Sequence, residues 1–477
     1  MVFTSFNFLI FFPLVVVLFY LSPIKFRWVT LLLAGFFFYI NIKPIYFLLL
    51  CGVICSTWLF TKLIQRTKNE SHRRLYLISN IILILLPLVF FKYFTVINNT
   101  MIQLMENWHL RWPLPEVRYI LPIGISFYTF MAIGYTIDVY NDEIEAEHNI
   151  GIVALFISFF PLVLSGPIER ARNMIPQFKE FHPIDYANIP TGLKIMLWGY
   201  FMKLVVADRL GIYVDVVYGN ISGSNGSSLL IASLLYPFQV YADLGGYSLI
   251  AIGTARLMGL KVMQNFNRPF FATSMAEFWR RWHISLISWL TDYIYTPLSF
   301  SFRKLRIWGI ILALMLTFLI SGIWHGATLN YVVWGLMQGL FLSFEALIFT
   351  RKSAQGKRYQ ISKNPLFTFI SISITYILFS ASLILGRLET IGDAVVAYEK
   401  ILTDHGTPYL DLTTLAYSFF GICLVVIKDF KDEYYPGNFQ FFSNKRLWIR
   451  FSSYLTVIFI IILFGVFRGH RFIYFQF

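Results

Sequence analysis

The chain has 477 residues, of which 57% are hydrophobic, 19% aromatic and only 13% charged. A soluble chain of ordinary composition is about a quarter charged, so the repeated apolar runs make this a polytopic membrane protein rather than several soluble domains. The formal charge of +14 sits in short loops between apolar runs, where it sets topology and meets anionic headgroups. No arginine-rich helix or zinc-finger spacing accompanies it, which excludes nucleic acid as a partner.

The first apolar run, Phe6 to Leu21, has no basic segment before it and no small-residue cleavage site near it. It reads as a retained helix rather than a signal peptide. A second run extends from Trp28 to about Ile40 and a third from Ile45 to Ile64. The third leads into Gln65 to Arg74, whose four Lys/Arg mark a cytoplasmic loop and place the N-terminus outside. Leu75 to Ile97 spans next, with Pro87 as a kink, and Asn98 to Arg118 is expected as an outer loop. Simple alternation fails between residues 120 and 165. It would put the acidic loop 141–148 inside and the basic loop 165–172 outside, so one segment there is expected to be re-entrant.

Ile189 to Val216 carries Lys194, Lys203, Asp208 and Arg209 within an apolar run, which points to burial in protein or an interface. Gly219 to Ser228 reads as a flexible loop, and Asp243 is an acid inside the apolar run 229–260. Residues 261–306 do not form a clean span: they hold Pro269, Pro297 and nine charged residues. At 100° per residue, Glu277, Arg281, Ser285, Ser288 and Asp292 fall on one stripe of a helix, with His283 opposite, towards the interior. Glu277 and Arg281 are spaced i,i+4 for an ion pair. Ile307 to Ile320 runs into Ser-Gly-Ile-Trp-His325-Gly, and the flanking glycines let backbone or substrate approach closely. The basic stretch Arg351 to Lys363 marks a second cytoplasmic loop. Two further apolar runs, Leu412 to Ile427 and Phe451 to Phe467, cross in and out, leaving Arg468 to Phe477 outside. Cys51, Cys55 and Cys423 all lie in apolar runs and read as buried small hydrophobes, not a disulfide or metal site.

Two histidines among tryptophans in lipid-soluble sequence are the chemical signal. An ionisable residue inside a membrane is a functional candidate, and histidine suits a general base because its ordinary pKa is about 6.5. A lone core histidine is more often structural, and a polar helix stripe is usually only a solvated face. Two histidines do not make a metal site without a third ligand at recognisable spacing. No phosphate-binding Gly-rich loop and no Gly-x-Ser-x-Gly elbow is present.

Phe278-Trp-Arg-Arg-Trp-His-Ile-Ser-Leu, then Asp292-Tyr-Ile-Tyr-Thr-Pro-Leu and Gly322-Ile-Trp-His-Gly-Ala, together resemble the membrane-bound O-acyltransferase superfamily. Within it the chain is more similar to alginate O-acetyltransferase membrane subunits than to the shorter teichoic-acid D-alanyl transferases. Leu121-Pro-Ile-Gly-Ile-Ser-Phe, Thr136-Ile-Asp-Val-Tyr, Ser165-Gly-Pro-Ile, Gly246-Tyr-Ser, Asn265-Phe-Asn-Arg-Pro and the terminal Phe472-Ile-Tyr-Phe-Gln-Phe support the resemblance, mostly over residues 120–343. Departures are Thr291 in place of the usual Arg, Pro297-Leu-Ser-Phe in place of Pro-Leu-Gly-Gly, and Tyr241-Ala-Asp-Leu-Gly-Gly-Tyr-Ser-Leu in place of Phe-Asp-Phe-Ser-Gly-Tyr-Ser-Asp.

The resemblance implies an all-α integral membrane protein, a bundle of about 11–13 membrane helices with re-entrant or interfacial helices around a central tunnel. The whole chain, 1–477, would be one polytopic domain with a catalytic core at about 120–345. The catalytic residue would be His325, and His283 would occupy a second position that is Asn or His in the family. Trp279, Arg280, Arg281, Trp282, Trp324, Asn330, Asp243, Asn267 and Arg268 are the candidates for holding donor or substrate, the arginines meeting donor phosphates. Acetyl-CoA or another acyl thioester would arrive from the cytoplasm, and no bound cofactor or metal is expected. The acceptor would be an extracytoplasmic polysaccharide, reached directly or through a periplasmic partner across the cell inner membrane. Acylation of peptidoglycan, a lipid or a protein by the same chemistry is the alternative. A non-enzymatic transporter is another, although no internal repeat supports it.

Overall fold

The computed structural model describes residues 1–110, 114–115, 121–354, 364–437, 442–467 and 472. Its α-helices are α1 Phe6–Leu21, α2 Arg27–Ile40, α3 Pro44–Arg66, α4 Glu70–Asn107, α5 Ile125–Tyr140, α6 Ile150–Ser158, α7 Ala171–Lys179, α8 Asn188–Phe201, α9 Asp208–Tyr218, α10 Gly226–Leu257, α11 Met275–Arg281, α12 Ile284–Leu290, α13 Thr296–Ser301, α14 Ile307–His325, α15 Leu329–Ala354, α16 Pro365–Arg387, α17 Ile391–Thr403, α18 Leu412–Tyr434 and α19 Leu447–Phe464. No strand occurs among the described residues. Eight spans among them are long and apolar enough to cross a membrane, α8 and α9 counting together. The multi-pass membrane class read from composition, and the all-α class that the resemblance implies, therefore hold. The basic loop expected at 351–363 and the outer tail expected at 468–477 lie largely outside the described residues.

The chain divides into two compact units, Met1–Met196 with Tyr247–Met263, and Leu197–Gly246 with Gln264–Gln476. In the first, Phe3, Phe8, Phe11, Phe38 and Phe160 pack ring against ring. α4 is 38 residues long, about 57 Å, and its helix continues through Asn98–Asn107 where an outer loop was expected. Residues such as Gln103, Leu104, Met105 and Glu106 are good helix formers and carry the helix past the apolar run. The segment between residues 120 and 165 is compact: α5 has 16 residues and α6 only nine. At about 14 Å, α6 is too short to cross a hydrocarbon core of about 30 Å, which locates the irregularity in the alternation. Gly124 opens α5 at φ 82°, and a Cβ there would lie 2.2 Å from the Val163 carbonyl oxygen, so only glycine fits.

The second unit contains both histidines. A π-helical turn over Met202–Ala207 joins α8 to α9 and turns Lys203 inward. Its ammonium reaches Asp208 at 2.6 Å and Asp243 at 2.7 Å, all three side chains being at most 4% exposed. The glycine- and serine-rich segment expected to be flexible is tied down: Lys400 on α17 donates to the carbonyls of Ile221, Ser222 and Ser224. α14 and α15 form a hairpin in close contact. A Cβ on Gly322 would sit 2.2 Å from the Tyr331 carbonyl oxygen and 3.1 Å from the Gly335 Cα, and one on Gly335 would sit 2.3 Å from the Phe318 carbonyl oxygen. Small residues at such crossings let membrane helices approach backbone to backbone.

Gly322→Ala should therefore lower thermal stability in detergent by about 1–3 kcal/mol. Gly52→Ala in α3, where a Cβ meets nothing within 4 Å, should leave stability unchanged or raise it by about 0.5–1 kcal/mol. Scanning fluorimetry of the two variants checks the contrast, and equal behaviour would contradict the close crossing.

Candidate functional site

The stretch 276–292 is not one amphipathic helix. It breaks at Trp282-His283, with His283 in the left-handed region at φ 46°. Ser285, expected on a polar outer stripe, is fully buried. The cause is a clamp from upstream. The Asn265 carbonyl accepts the Ile284 N–H at 2.8 Å, and its side-chain oxygen accepts the Ser285 hydroxyl at 2.9 Å and the Ser285 N–H at 3.2 Å. Asn267 N–H donates to the Arg281 carbonyl at 2.9 Å. These bonds replace helical ones at the break, and α12 restarts on the His283 carbonyl, which accepts from Leu286 and Ile287. His283 ends 2% exposed, as its position opposite the polar stripe implied, with its ring 6.1 Å from that of Phe266.

His325 is the last residue of α14 and is half-buried. The chain turns sharply after it, because a Cβ at Gly326 would overlap the Tyr331 ring at 2.0 Å. The start of α15 is pinned by Asn330, whose side-chain amide donates to the Leu388 carbonyl at 2.6 Å, and by the Tyr331 hydroxyl on the Gly386 carbonyl at 2.9 Å. Around the His325 ring stand Trp324 at 4.6 Å, Trp334 at 5.0 Å and Tyr331 at 6.4 Å. Trp334 in turn meets Trp279 at 6.0 Å, and Trp279 meets Phe318 at 5.2 Å. The indole N–H groups of Trp279 and Trp334 are buried with no hydrogen-bond partner among the described residues. Trp282 packs with Phe266, Phe278 and Phe379, and Phe278 and Phe379 join this group to Trp279 at 5.6 and 6.2 Å.

Further along the same two helices lies a cavity of about 720 Å³ lined by Asn267, Glu277, Arg280, Arg281, Leu314 and Glu345, among others. That volume is typical of a small-molecule site. Its wall is held by carboxylates. Glu345 accepts the N–H groups of Met275 at 2.6 Å and Ala276 at 2.9 Å, two of the orphan donors at the start of α11. Arg281 forks onto Glu433 at 2.9 and 3.0 Å and reaches Glu277 at 2.6 Å. Arg268 pairs with Glu433 at 2.8 Å. Of the three arginines expected to meet phosphates, two are thus neutralised, whereas Arg280 is exposed on the cavity and pairs with no carboxylate among the described residues. Asp243, another candidate, is committed to Lys203. Sequence reading did not pick out Glu345, Asn265, Trp334 or Glu433. Glu345, an acid in an otherwise apolar span, carried a legible signal.

Burial works to raise the Glu277 carboxyl, but the bonds from Thr273 and the charge of Arg281 outweigh it and hold the group below its ordinary value. An acid with a depressed folded pKa contributes stability above its unfolded value, about 4.5, and loses it as pH falls through the folded value. Wild type and Glu277→Gln should accordingly differ in melting temperature at pH 7 and converge as the pH is lowered below 4. A difference independent of pH would show that the carboxylate charge is not the stabilising element.

The profile of the membrane-bound O-acyltransferase family matches residues 125–384. The chain is 33% identical to the probable alginate O-acetylase of Pseudomonas aeruginosa over 391 residues, covering 80% of this chain and 72% of that protein. It is 34% identical to the peptidoglycan O-acetyltransferase of Helicobacter pylori over 341 residues, 66% of this chain and 63% of the other. It is 27% identical to the teichoic acid D-alanyltransferase of Streptococcus thermophilus over 358 residues, 68% and 80% of the two chains.

Proposed function

The chain belongs to the membrane-bound O-acyltransferase family, and from that premise we propose that it moves an acetyl group from cytoplasmic acetyl-CoA to a hydroxyl of an extracytoplasmic polysaccharide. Transfer proceeds directly or through a periplasmic partner, from the cell inner membrane. Acyl transfer itself follows from the family. The donor, acceptor and residue roles are the proposal.

The observation that carries it is the arrangement of one helix pair. His325 closes one end of α14, and the cavity with Arg280 lies at Ile310 and Leu314 towards the other. His325 lies eleven positions after Leu314, about 16 Å along the helix, a length an extended pantetheine arm can bridge. The cavity end of α15 leads into residues 351–363, whose five Lys/Arg favour the cytoplasm. A nucleotide held at Arg280 would therefore present its thioester to His325 from the inside.

In the reaction, His325 takes the proton of the acceptor hydroxyl as its oxygen attacks the thioester carbonyl carbon. The carbonyl becomes an oxyanion, for which the indole N–H groups of Trp334 and Trp279 are available donors in a site shielded from water. His283 polarises the acyl carbonyl. As the intermediate collapses, the C–S bond breaks, the new C–O ester remains, and the proton passes from His325 to the departing thiolate. The relatives that act on alginate and peptidoglycan support a carbohydrate acceptor, and the 34% identity to the second keeps peptidoglycan as the specific rival to an exopolysaccharide.

His325→Ala should cut acetyl transfer by about 10²–10⁴-fold, the usual worth of a general base, with the protein still folded and binding acetyl-CoA. Turnover near wild type would refute the assignment. Arg280→Ala should raise the KM for acetyl-CoA about tenfold, the loss of one charge-assisted phosphate contact, while leaving kcat little changed. Mass spectrometry of envelope polymers with and without the protein identifies the acceptor.

A further inference from the structure

The helix α17 carries apolar residues on two opposite faces. Ala394 and Ala397 face the protein and are buried, as an amphipathic helix requires. At 100° per residue, Gly392, Val395, Val396, Glu399, Leu402 and Thr403 share the other side, and all six are exposed. Val395 is 56% exposed, Val396 40% and Leu402 75%. Glu399 falls between the two valines on this face, and its carboxylate has no ion pair among the described residues.

The face is held firmly from behind. Besides the three bonds of Lys400, the Tyr398 hydroxyl donates to the Ala381 carbonyl of α16 at 2.7 Å, and the Tyr409 N–H donates to the Ser228 hydroxyl at 2.7 Å. A surface fixed in advance loses little freedom when something binds it. Its location follows from α16, which is long and apolar enough to cross once and starts beside the basic stretch 351–363 that favours the cytoplasm. α17 therefore lies at the outer end, and with 13 residues, about 20 Å, it is too short to cross. The Leu388 carbonyl, three residues before α17, accepts the Asn330 amide in the hairpin that carries His325. The exposed face thus stands near the end of the hairpin at which the acceptor arrives.

The chemistry of the face narrows what covers it. Water would leave three aliphatic side chains bare. Hydrocarbon would enclose the Glu399 carboxylate, which membranes rarely tolerate unpaired. Helices that lie on anionic headgroups carry Lys and Arg on their polar side, whereas Leu388 to Leu412 has five acids and a single basic side chain, Lys400, which is already engaged. A second copy in the same membrane would present the same acids. A protein surface with Lys or Arg set among apolar side chains fits, since such interfaces combine an apolar centre with a few desolvated charge pairs.

We propose that the outward face of α17 docks a separate extracytoplasmic protein, one Lys or Arg of which meets Glu399 while apolar side chains around it cover Val395, Val396 and Leu402. The inference rests on the acetyl-transfer reading above and selects the partner route over direct transfer. The docked protein brings the acceptor hydroxyl to the His325 end of the hairpin, and bond making stays as described.

Photocrosslinking of the full-length protein in cells that lack their own copy tests this, with p-benzoylphenylalanine in place of Val395. Irradiation should join it to one extracytoplasmic protein. The adduct should vanish when Glu399→Lys is added, and the same crosslinker at the exposed Leu366, at the opposite end of α16, should not form it. Glu399→Lys should lower base-labile acetate in the envelope at least about tenfold, the effect of reversing one side of an interfacial charge pair. Acetyl-CoA affinity of the purified variant should stay at the wild-type value, and reversing the partner's basic residue at the crosslink to Glu should restore the acetate. An adduct with lipid or with a second copy, no adduct, or envelope acetate indifferent to Glu399→Lys overturns the docking face. Failure of the purified wild type to bind acetyl-CoA overturns the donor reading instead, because the adduct and its loss are read without any transfer of acetyl groups.

Discussion

The backbone-to-backbone approach of α14 and α15 is the constraint on which the second unit depends. Gly322 and Gly335 remove the side chains that would otherwise hold the helices apart, and helices that touch in this way cannot slide or rotate without overlap. The consequence is felt at both ends of the pair. At one end the chain must reverse immediately after His325. At the other, Leu314 and Leu342 are brought to the same cavity. In lipid there is no hydrophobic effect to press helices together, so close packing of this kind and the hydrogen bonds from Asn330 and Tyr331 to the end of α16 do that work.

Several of the charges around the cavity are paired in place. Glu433 serves two arginines, Glu277 accepts the Thr273 N–H and holds Arg281, and Glu345 occupies the start of α11 where backbone N–H groups point outward. Such pairs add little net stability where they are exposed. Their effect is on geometry, fixing α11 against α15 and leaving one guanidinium, that of Arg280, facing open volume. Among the described residues, Arg280 is the lining cation that no carboxylate pairs, while its neighbour Arg281 is held by Glu277 and Glu433.

The membrane class and most of the spans were legible from the sequence, and both histidines stood out in it as candidates, because apolar run length and an ionisable group in an apolar run are local properties. Boundaries failed where a helix outlasts its apolar stretch, as α4 does through Asn107, or falls short of a crossing, as α6 does. The polar stripe from Glu277 to Asp292 failed for a different reason. Periodicity presumes one unbroken helix, and the break at His283 is imposed by Asn265, eighteen residues upstream. Likewise, nothing in the sequence separates Arg280 from Arg281. Their difference is made by Glu433, which comes 152 residues later. Long-range partners, rather than local pattern, decide which of two adjacent arginines remains available to a ligand.

The left-handed backbone at His283 has a consequence for how this position can vary over evolutionary time. Few residues adopt φ near +46° without strain: glycine, and with some enrichment asparagine, aspartate and histidine. Glycine brings no functional group, and aspartate would bring a charge into an almost dry aromatic shell. Asparagine and histidine remain, each neutral and each able to donate and accept a hydrogen bond. The Asn-or-His alternation that the family resemblance implies at this position therefore has a conformational origin as well as a chemical one. The backbone favours a few residue types at this position, and asparagine and histidine are the two of them that stay neutral and keep a hydrogen-bonding group.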